Sequence, residues 1–87
     1  MYLHLGQSVV VPFRDVVGIF DMDNSTASHL TRKFLTRAER EGRVVYVCDD
    51  LPRSFVLCAD RTGGQRVYLS QLSPAALLRR AESNSFE

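Results

Sequence analysis

Three continuous runs of apolar residues constrain this chain more than any other feature: VVGIF (16–20), VVYVC (44–48) and FVLCA (55–59). A strand with one face in water alternates apolar and polar side chains, so an unbroken apolar run indicates a strand that needs cover on both faces. The chain has only 87 residues, which is enough for one compact core and too few for two. We therefore expect a single domain over residues 1–82, with residues 83–87 as a flexible tail.

Short strands dominate the predicted secondary structure. Turn-forming residues divide the chain into apolar segments, and the predicted strands cover residues 2–5, 8–13, 15–21, 43–49, 53–59 and 66–70. The first three follow one another so closely that tight antiparallel pairing is expected. The segment DRTGGQ (60–65) is typical of a hairpin loop. The predicted fold class is α+β, with a mostly antiparallel sheet of five or six short strands, one amphipathic helix and a short C-terminal helix.

The two predicted helices carry recognisable end signals. The longer helix extends from about residue 27 to 41, and Gly42 provides its C-terminal stop. Three residues before it have side chains that can cap free N–H groups: Asn24, Ser25 and Thr26. The shorter helix covers residues 74–81, because Ser73 can cap it and Pro74 takes the first helical position, where proline is favoured.

Two helices are too little cover for a sheet whose strands are apolar on both faces, especially because the second helix is so short. Self-association is the simplest remedy, since a second copy can bury the remaining apolar surface. We therefore expect a homo-oligomer. The alternative is a sheet that curls into a small barrel and buries its own inner face.

The long helix has two unlike faces. At about 100° per residue, one side is a core stripe that consists of Ala27, Leu30, Thr31, Phe34, Leu35 and Ala38. The opposite side, which we call the cationic strip, consists of His29, Arg32, Lys33, Thr36, Arg37 and Arg40. Such a strip can lie along phosphate groups. It can equally be a solvated helix face whose cations favour the C-terminal end of the helix dipole.

The overall charge conceals this strip. The chain has 11 Lys and Arg residues against 10 Asp and Glu residues, so net charge indicates no class of partner. Ten of the 11 cations are arginines, which suit bidentate phosphate contacts, although a GC-rich genome produces the same bias. The opening residues MYLHLG contain no basic n-region, and no apolar run approaches the roughly 20 residues that span a bilayer. We expect a cytoplasmic protein without membrane contact.

Residues suited to catalysis or metal binding are sparse. His4 and His29 lie outside any nucleophile motif. The acids of DMDN (21–24) lack the glycine and glutamate of a calcium loop, so helix capping explains them better. Cys48 and Cys58 lie in apolar runs without a CxxC motif, and we expect both to be buried free thiols in a reducing compartment. The prediction is a non-enzymatic protein with no cofactor and no metal site.

The segment DDLPRSFVL (49–57) places one arginine at the start of a predicted strand. Pro52 removes a backbone donor and stiffens the turn. Arg53 would then point in a fixed direction, which holds a phosphate-contacting guanidinium at low entropic cost. The alternative is an ion pair from Arg53 to Asp49 or Asp50.

The sequence contains, in this order, the segments MYLHLG, VVVPFRDVVGIFD, FLTRAEREGRV, LPRSFVL and VYLSQLSPAALLRR. Together they resemble the bacterial extracellular matrix regulator (Rem) family, on its RemB-like branch. The resemblance covers residues 1–82, so the predicted domain would be a Rem-like regulatory domain. It implies a DNA-binding transcriptional regulator of biofilm matrix genes. For the RemA branch it implies a ring-shaped oligomer that engages DNA through arginines facing outward.

The resemblance also implies which residues contact DNA. Arg14 occupies the position of an arginine implicated in DNA contact in the RemA branch, at the start of the third strand. That branch has two adjacent arginines in the turn before the strand that corresponds to residues 55–59, where this chain has Leu51 and Pro52 and then Arg53. The predicted DNA-binding residues are Arg14 and Arg53, assisted by Arg32, Lys33 and Arg37.

Two functions are compatible with this pattern. The first is an oligomeric regulator that binds double-stranded DNA with low sequence selectivity. The second is an oligomeric protein-interaction module that binds another regulator through its basic helix without contacting DNA. Phosphate contact predicts an affinity that falls steeply with salt, whereas a protein partner predicts one saturable complex of fixed stoichiometry.

Overall fold

The architecture comes from a computed structural model that describes residues 2–25 and 29–84. Within these ranges the strands are β1 Tyr2–Gly6, β2 Val9–Pro12, β3 Val16–Asp21, β4 Val44–Tyr46, β5 Ser54–Ala59 and β6 Gln65–Ser70. The helices are α1 Met22–Ser25, α2 His29–Arg40 and α3 Pro74–Asn84. A 3₁₀ turn, Phe13–Asp15, precedes β3.

The described strands form two sheets. β1 and β2 make an antiparallel pair, and the other four strands make a sheet in the order β3–β5–β6–β4. Neighbours in the larger sheet are antiparallel except β4 and β6, which are parallel. The predicted α+β class with mostly antiparallel pairing is therefore confirmed. The first three strands do not form one meander, however, because β3 pairs with β5 rather than with β2.

The four-stranded sheet is the middle layer of the domain. On one face, α2 packs over β4 and β6, and the core there contains Phe34, Leu35, Ala38, Phe55 and Val67. On the other face, β1, β2 and α3 surround a second core that contains Leu3, Leu5, Val11, Val56, Cys58 and Leu77. β5 contributes to both cores because Phe55 and Val56 point to opposite faces.

β5 is the apolar run that best fits the prediction of cover on both faces, since four of its six residues are buried. The two edge strands are less covered. Val17 and Phe20 of β3 are 63% and 38% exposed, and Tyr46 of β4 is 59% exposed. A single subunit therefore leaves apolar side chains in water along both edges of the sheet.

Two buried serines connect the layers. The hydroxyl of Ser54 donates a hydrogen bond to the carbonyl oxygen of Leu72 at 2.7 Å, and that of Ser70 donates to the carbonyl oxygen of Leu5 at 2.6 Å. The N–H of Leu72 donates to Oγ of Ser70 at 3.1 Å. Because both serines are fully buried, these bonds offset the cost of removing their hydroxyls from water. They also hold β1 against the end of β6.

α2 ends as predicted at Gly42, which has a φ of +73°. The N–H of Gly42 donates to the carbonyl oxygen of Glu39 at 3.0 Å, and the N–H of Arg43 donates to that of Ala38 at 2.9 Å. This pair of bonds is a Schellman motif, which requires the left-handed backbone that glycine adopts without strain. It returns the chain directly into β4.

α3 also begins as predicted. Pro74 is its first residue, and Oγ of Ser73 accepts a hydrogen bond from the N–H of Ala76 at 3.2 Å. The helix continues to Asn84, three residues beyond the predicted end. Its first turn packs against β1, with Leu77 fully buried.

The predicted N-terminal caps of the long helix are not found as expected. Asn24 and Ser25 belong to the single turn of α1, and Thr26 and Ala27 lie outside the described residues. The turn of α1 is instead capped by Asp21, whose Oδ1 accepts a hydrogen bond at 2.8 Å from the N–H two residues later. This bond agrees with the predicted capping role of the DMDN acids.

The prediction that Leu30 belongs to the core stripe was wrong. Leu30 is 76% exposed, whereas Ala38 is fully buried and Phe34 and Leu35 are half-buried against the core. Thr31 is half-buried as well. The difference arises because the helix meets the sheet through its later turns, so that the first turn extends past the packed region.

Cys48 is less buried than predicted. The chain must leave the sheet after Tyr46, because β4 pairs with β6 and the next strand lies on the far side of β6. Cys48 therefore lies in a loop, where it is half-buried and its Sγ is 3.8 Å from the carbonyl oxygen of Asp50. Cys58 is buried as predicted. Burial, assisted by the negative charge of Asp15, raises the pKa of its thiol to about 11.

We expect the two thiols to react at very different rates with a bulky thiol reagent. At a pH of about 8, a thiol with a pKa of about 11 is roughly one-thousandth thiolate, and burial slows its reaction further. Native protein should be modified first at Cys48, and the Cys48→Ser variant should be modified only after denaturation. Peptide mass spectrometry after timed labelling measures both rates. Fast native labelling at Cys58 would contradict its burial.

Asp60 organises the predicted hairpin between β5 and β6. Its Oδ1 accepts hydrogen bonds from the N–H and the hydroxyl of Thr62, at 2.9 and 2.6 Å, and from the N–H of Gly64 at 2.9 Å. Gly63 has a φ of +88°, which favours glycine at this position of the turn. The hydroxyl of Thr62, followed by the N–H of Gly64, lowers the pKa of the Asp60 carboxyl.

Asp60→Ala should destabilise the protein more than Asp60→Asn, because asparagine keeps an oxygen that accepts from the same donors. The folded-state pKa of Asp60 is lowered. The stabilisation by its negative charge is therefore present above the unfolded-state pKa and is lost as the pH falls through the folded-state pKa. Urea unfolding at a series of pH values should show the difference between wild type and Asp60→Asn shrinking in acid. A difference independent of pH would contradict this role.

Candidate nucleic-acid interface

The cationic strip forms the outward face of α2. Its side chains are all exposed: His29, Arg32, Lys33, Thr36, Arg37 and Arg40. They border an open groove along the helix, with the ring of Phe34 as its main apolar element. The cations of the strip are exposed on one face of the helix, and Leu35 and Ala38 pack against the core on the other face, as the sequence predicted.

Glu41 neutralises one end of the strip. Its Oε2 accepts a hydrogen bond from Nε of Arg37 at 3.2 Å, and its Oε1 accepts from Nε and Nη2 of Arg43 at 2.8 and 2.7 Å. These bonds, with Arg43 the larger cause, lower the pKa of the Glu41 carboxyl. Among the described residues of the strip, Arg37 alone has an ion-pair partner. Arg32, Lys33 and Arg40 carry charge that no described residue offsets directly.

Arg43 belongs to this surface, although the sequence pattern did not single it out. Its side chain is only 25% exposed, and its Nη1 is buried without a hydrogen-bond partner in the described part of the chain. Its position follows from the Schellman motif, which turns the residue after Gly42 back toward the helix end. An arginine directly after a glycine stop, with Glu41 before that stop, is the signal that could have identified it.

Arg14 lies in the 3₁₀ turn that leads into β3, as the predicted position requires. Its side chain is 73% exposed, and its Nε lies 4.0 Å from Oδ1 of Asp15. An exposed pair at that distance is weak. The guanidinium of Arg14 is therefore available to an anion in solution.

Arg53 is held by its backbone and free at its side chain. Its N–H donates to the carbonyl oxygen of Ser70 at 2.8 Å, and its carbonyl oxygen accepts from the N–H of Met22 at 3.1 Å. The side chain is exposed and makes no ion pair with any described residue. The alternative of an ion pair with Asp49 or Asp50 is therefore not found, although both acids are exposed in the same loop.

Arg14 and Arg53 lie at opposite ends of the sheet. The register pairs Val16 with Cys58 at one end of β3 and pairs Asp21 with Ser54 at the other. Arg14 comes just before the first pair and Arg53 just before the second. Five residues of strand separate these ends by about 17 Å. The two guanidinium groups would thus contact different phosphates.

The cationic strip lies between these two ends. α2 runs antiparallel to β4, because the turn at Gly42 connects them directly. Arg32 and Lys33 are therefore nearer the end that carries Arg53, and Arg40 is nearer the end that carries Arg14. The predicted site residues are therefore spread along the length of the sheet and do not line one compact pocket.

The described residues contain no group of three or more His, Cys, Asp or Glu side chains that could hold a metal ion. No helix in the same part of the chain is long and apolar enough to cross a membrane. The features that stand out on the described surface are the exposed arginines and the apolar edges of the sheet.

A comparison with known proteins finds a relative that matches almost the whole chain. The chain is 37% identical over 82 residues to the extracellular matrix regulatory protein B of Bacillus subtilis (strain 168). The match covers 94% of this chain and 91% of the relative. No family model matches the sequence.

Proposed function

Because this chain belongs to the family of extracellular matrix regulatory protein B, we propose that it is a non-enzymatic regulator of extracellular matrix (biofilm) genes. It binds double-stranded DNA as a homo-oligomer and acts on transcription. Contact is made with phosphate groups through arginines, with low sequence selectivity. The family relationship supports the role in matrix regulation, and the exposed cations support the contact with DNA.

The exposed cationic strip is the observation that carries this proposal. Side chains of Arg32, Lys33 and Arg40 face water without an ion-pair partner among the described residues. Arg14 and Arg53 add an exposed guanidinium at each end of the sheet. A band of this kind matches a linear array of phosphates, which provides affinity without reading bases.

Oligomerisation makes such contacts useful. One subunit with a few phosphate contacts binds weakly, roughly at the 0.1 mM edge of non-specific affinity. Repetition of the same contacts around an oligomer raises the effective concentration for each later contact, with a gain of roughly a hundredfold or more. Exposed Val17, Phe20 and Tyr46 supply apolar surface for association. We propose a closed ring, and a cytoplasmic location in keeping with a regulator of bacterial transcription.

A second function is favoured by the acids near the predicted contacts. Glu41 holds Arg37, and Asp49 and Asp50 are exposed in the loop before Arg53. These charges reduce attraction to phosphates and suit a protein partner with mixed charges. In this alternative the oligomer binds another regulator through its basic helix and does not contact DNA. Salt dependence separates the two, because DNA affinity through phosphates falls steeply with ionic strength.

Arg14→Ala and Arg53→Ala should each weaken binding to all duplex sequences alike. Removal of one charge-assisted hydrogen bond per subunit reduces affinity by at least about tenfold, and the slope of log affinity against log salt falls by about 0.9 for each phosphate that is no longer neutralised. Mobility-shift titrations at two salt concentrations measure both. The oligomer mass should stay unchanged.

Arg79→Ala is the matched control for these variants, because Arg79 is an exposed arginine on α3, which packs on the opposite face of the sheet from α2. It should bind DNA as wild type does. Wild-type protein that shifts no DNA at low salt, or Arg14→Ala and Arg53→Ala variants that bind as well as wild type, would favour the protein-partner function.

Glu41→Gln should strengthen DNA binding. The substitution removes the negative charge that holds Arg37 and Arg43, so one more guanidinium of the strip becomes available. We expect a gain of roughly threefold to tenfold at low salt, and a smaller gain at high salt. Glu82→Gln makes the same change in net charge on α3 and should have little effect. Equal gains from both variants would show that only net charge matters.

A further inference from the structure

The two edges of the four-stranded sheet carry exposed aromatic side chains at the same level. The register aligns Phe20, Phe55, Leu69 and Tyr46 in one row that crosses the sheet from β3 to β4. The rings of Phe20 and Phe55 stack with centroids 4.9 Å apart and planes 18° apart. The row ends in water on both sides, since Phe20 is 38% and Tyr46 59% exposed.

α2 covers only part of the face on which this row lies. The helix packs over β4 and β6, whereas β3 is met by the single turn of α1. A Cβ at Gly18 would lie 2.8 Å from the ring of Phe20, so the glycine lets that ring lie across the strand surface. Val17, which lies at the register shift between Val16 and Gly18, is 63% exposed on this edge strand. We call Val17, Gly18 and Phe20 the β3 patch.

The two edges also carry opposite charge. Residues 14–23, which contain β3 and its flanks, hold three carboxylates and one guanidinium. Residues 29–46, which contain α2 and β4, hold five cations and two carboxylates. Pairing of two β3 edges or of two β4 edges would bring like charges together. Pairing of β3 with β4 brings opposite charges together.

We propose that β3 of one copy docks head to tail against β4 and α2 of a second copy. This contact rests on the oligomeric part of the proposed function and specifies its interface. β3 and β4 run in the same direction across the sheet, so their pairing is parallel and continues the sheet. Each copy thereby covers two exposed strand edges, which are otherwise prone to uncontrolled pairing.

The contact accounts for the side chains that a single copy leaves exposed. When β3 and β4 pair so that Phe20 lies opposite Tyr46 of the second copy, that tyrosine extends the aromatic row. α2 of the second copy covers the β3 patch that the first copy's own helix does not reach. Leu30, which is 76% exposed on the first turn of α2, is then directed toward apolar surface. The cationic strip stays on the outer face and is repeated in every copy.

Lysine substitutions on either edge test this contact. Val17→Lys places a cation on the acidic edge, where it meets the basic surface of the second copy, and Tyr46→Lys places a cation in the aromatic row. Each variant alone should have a monomer mass by light scattering at a concentration where wild type is oligomeric. Leu78→Lys, on an exposed position of α3, should keep the wild-type mass. Circular dichroism and cooperative unfolding establish that each variant is folded.

Mixing the two lysine variants is the decisive step. The Val17→Lys protein keeps an intact β4 edge and the Tyr46→Lys protein keeps an intact β3 edge, so the mixture should form a one-to-one heterodimer and nothing larger. A contact between two β3 edges would instead leave Tyr46→Lys at the wild-type mass and give no heterodimer. The head-to-tail contact would be overturned if the Tyr46→Lys protein kept the wild-type mass, if the mixture gave no heterodimer, or if both variants kept the wild-type mass.

Tyr46→Phe is the control for loss of the Tyr46 hydroxyl. The Tyr46 hydroxyl donates to Oε1 of Glu39 at 3.3 Å, so Tyr46→Lys also removes that bond. The phenylalanine variant lacks the bond but keeps the ring, and it should remain oligomeric; a monomer would overturn the role of the ring. DNA mobility shifts are scored separately. Wild type that shifts DNA while both lysine variants stay oligomeric would refute this interface and leave the proposed function intact.

Discussion

Burial of β5 on both faces is the constraint on which the rest of the structure depends. Phe55 points into the core under α2, and Val56 points into the core under β1, β2 and α3. β5 also pairs with β3, and Arg14 lies in the 3₁₀ turn that leads into β3. Arg53 immediately precedes β5, so the same strand fixes the positions of both arginines. The paired length of β3 and β5 thereby sets how far apart the two segments that carry these arginines lie.

The surface charges acquire a function through this arrangement. In a domain with nearly balanced charge, four cations lie on α2 and a fifth, Arg43, lies just before β4, whereas three carboxylates lie in and beside β3. That separation leaves a basic outer strip suited to phosphates and gives the sheet edges complementary signs. The proposed DNA binding and the proposed assembly both depend on this separation of charge. Salt is expected to weaken the DNA contact most, because its charges are exposed, whereas apolar burial supports the contact between copies.

Local features were predictable from the sequence and non-local ones were not. Gly42 was identified as a helix stop because its backbone preference acts within one turn. The parallel pairing of β4 with β6 depends on residues distant in sequence, and apolar runs carry no information about partners. Leu30 fits the helical period, but the period defines a face and not the length over which the sheet meets it. Arg37 was predicted on the strip, yet its sharing of Glu41 with Arg43 depends on the geometry of the turn.

Amide hydrogen exchange of the wild-type protein, with and without a DNA duplex at low salt, tests most directly whether this arginine-bearing surface binds DNA. Peptides that contain Arg14, residues 29–40 and Arg53 should exchange more slowly with the duplex present, while peptides from α3 should be unchanged. Exchange that is identical with and without DNA in all peptides, or that slows only outside these segments, would contradict the proposed function.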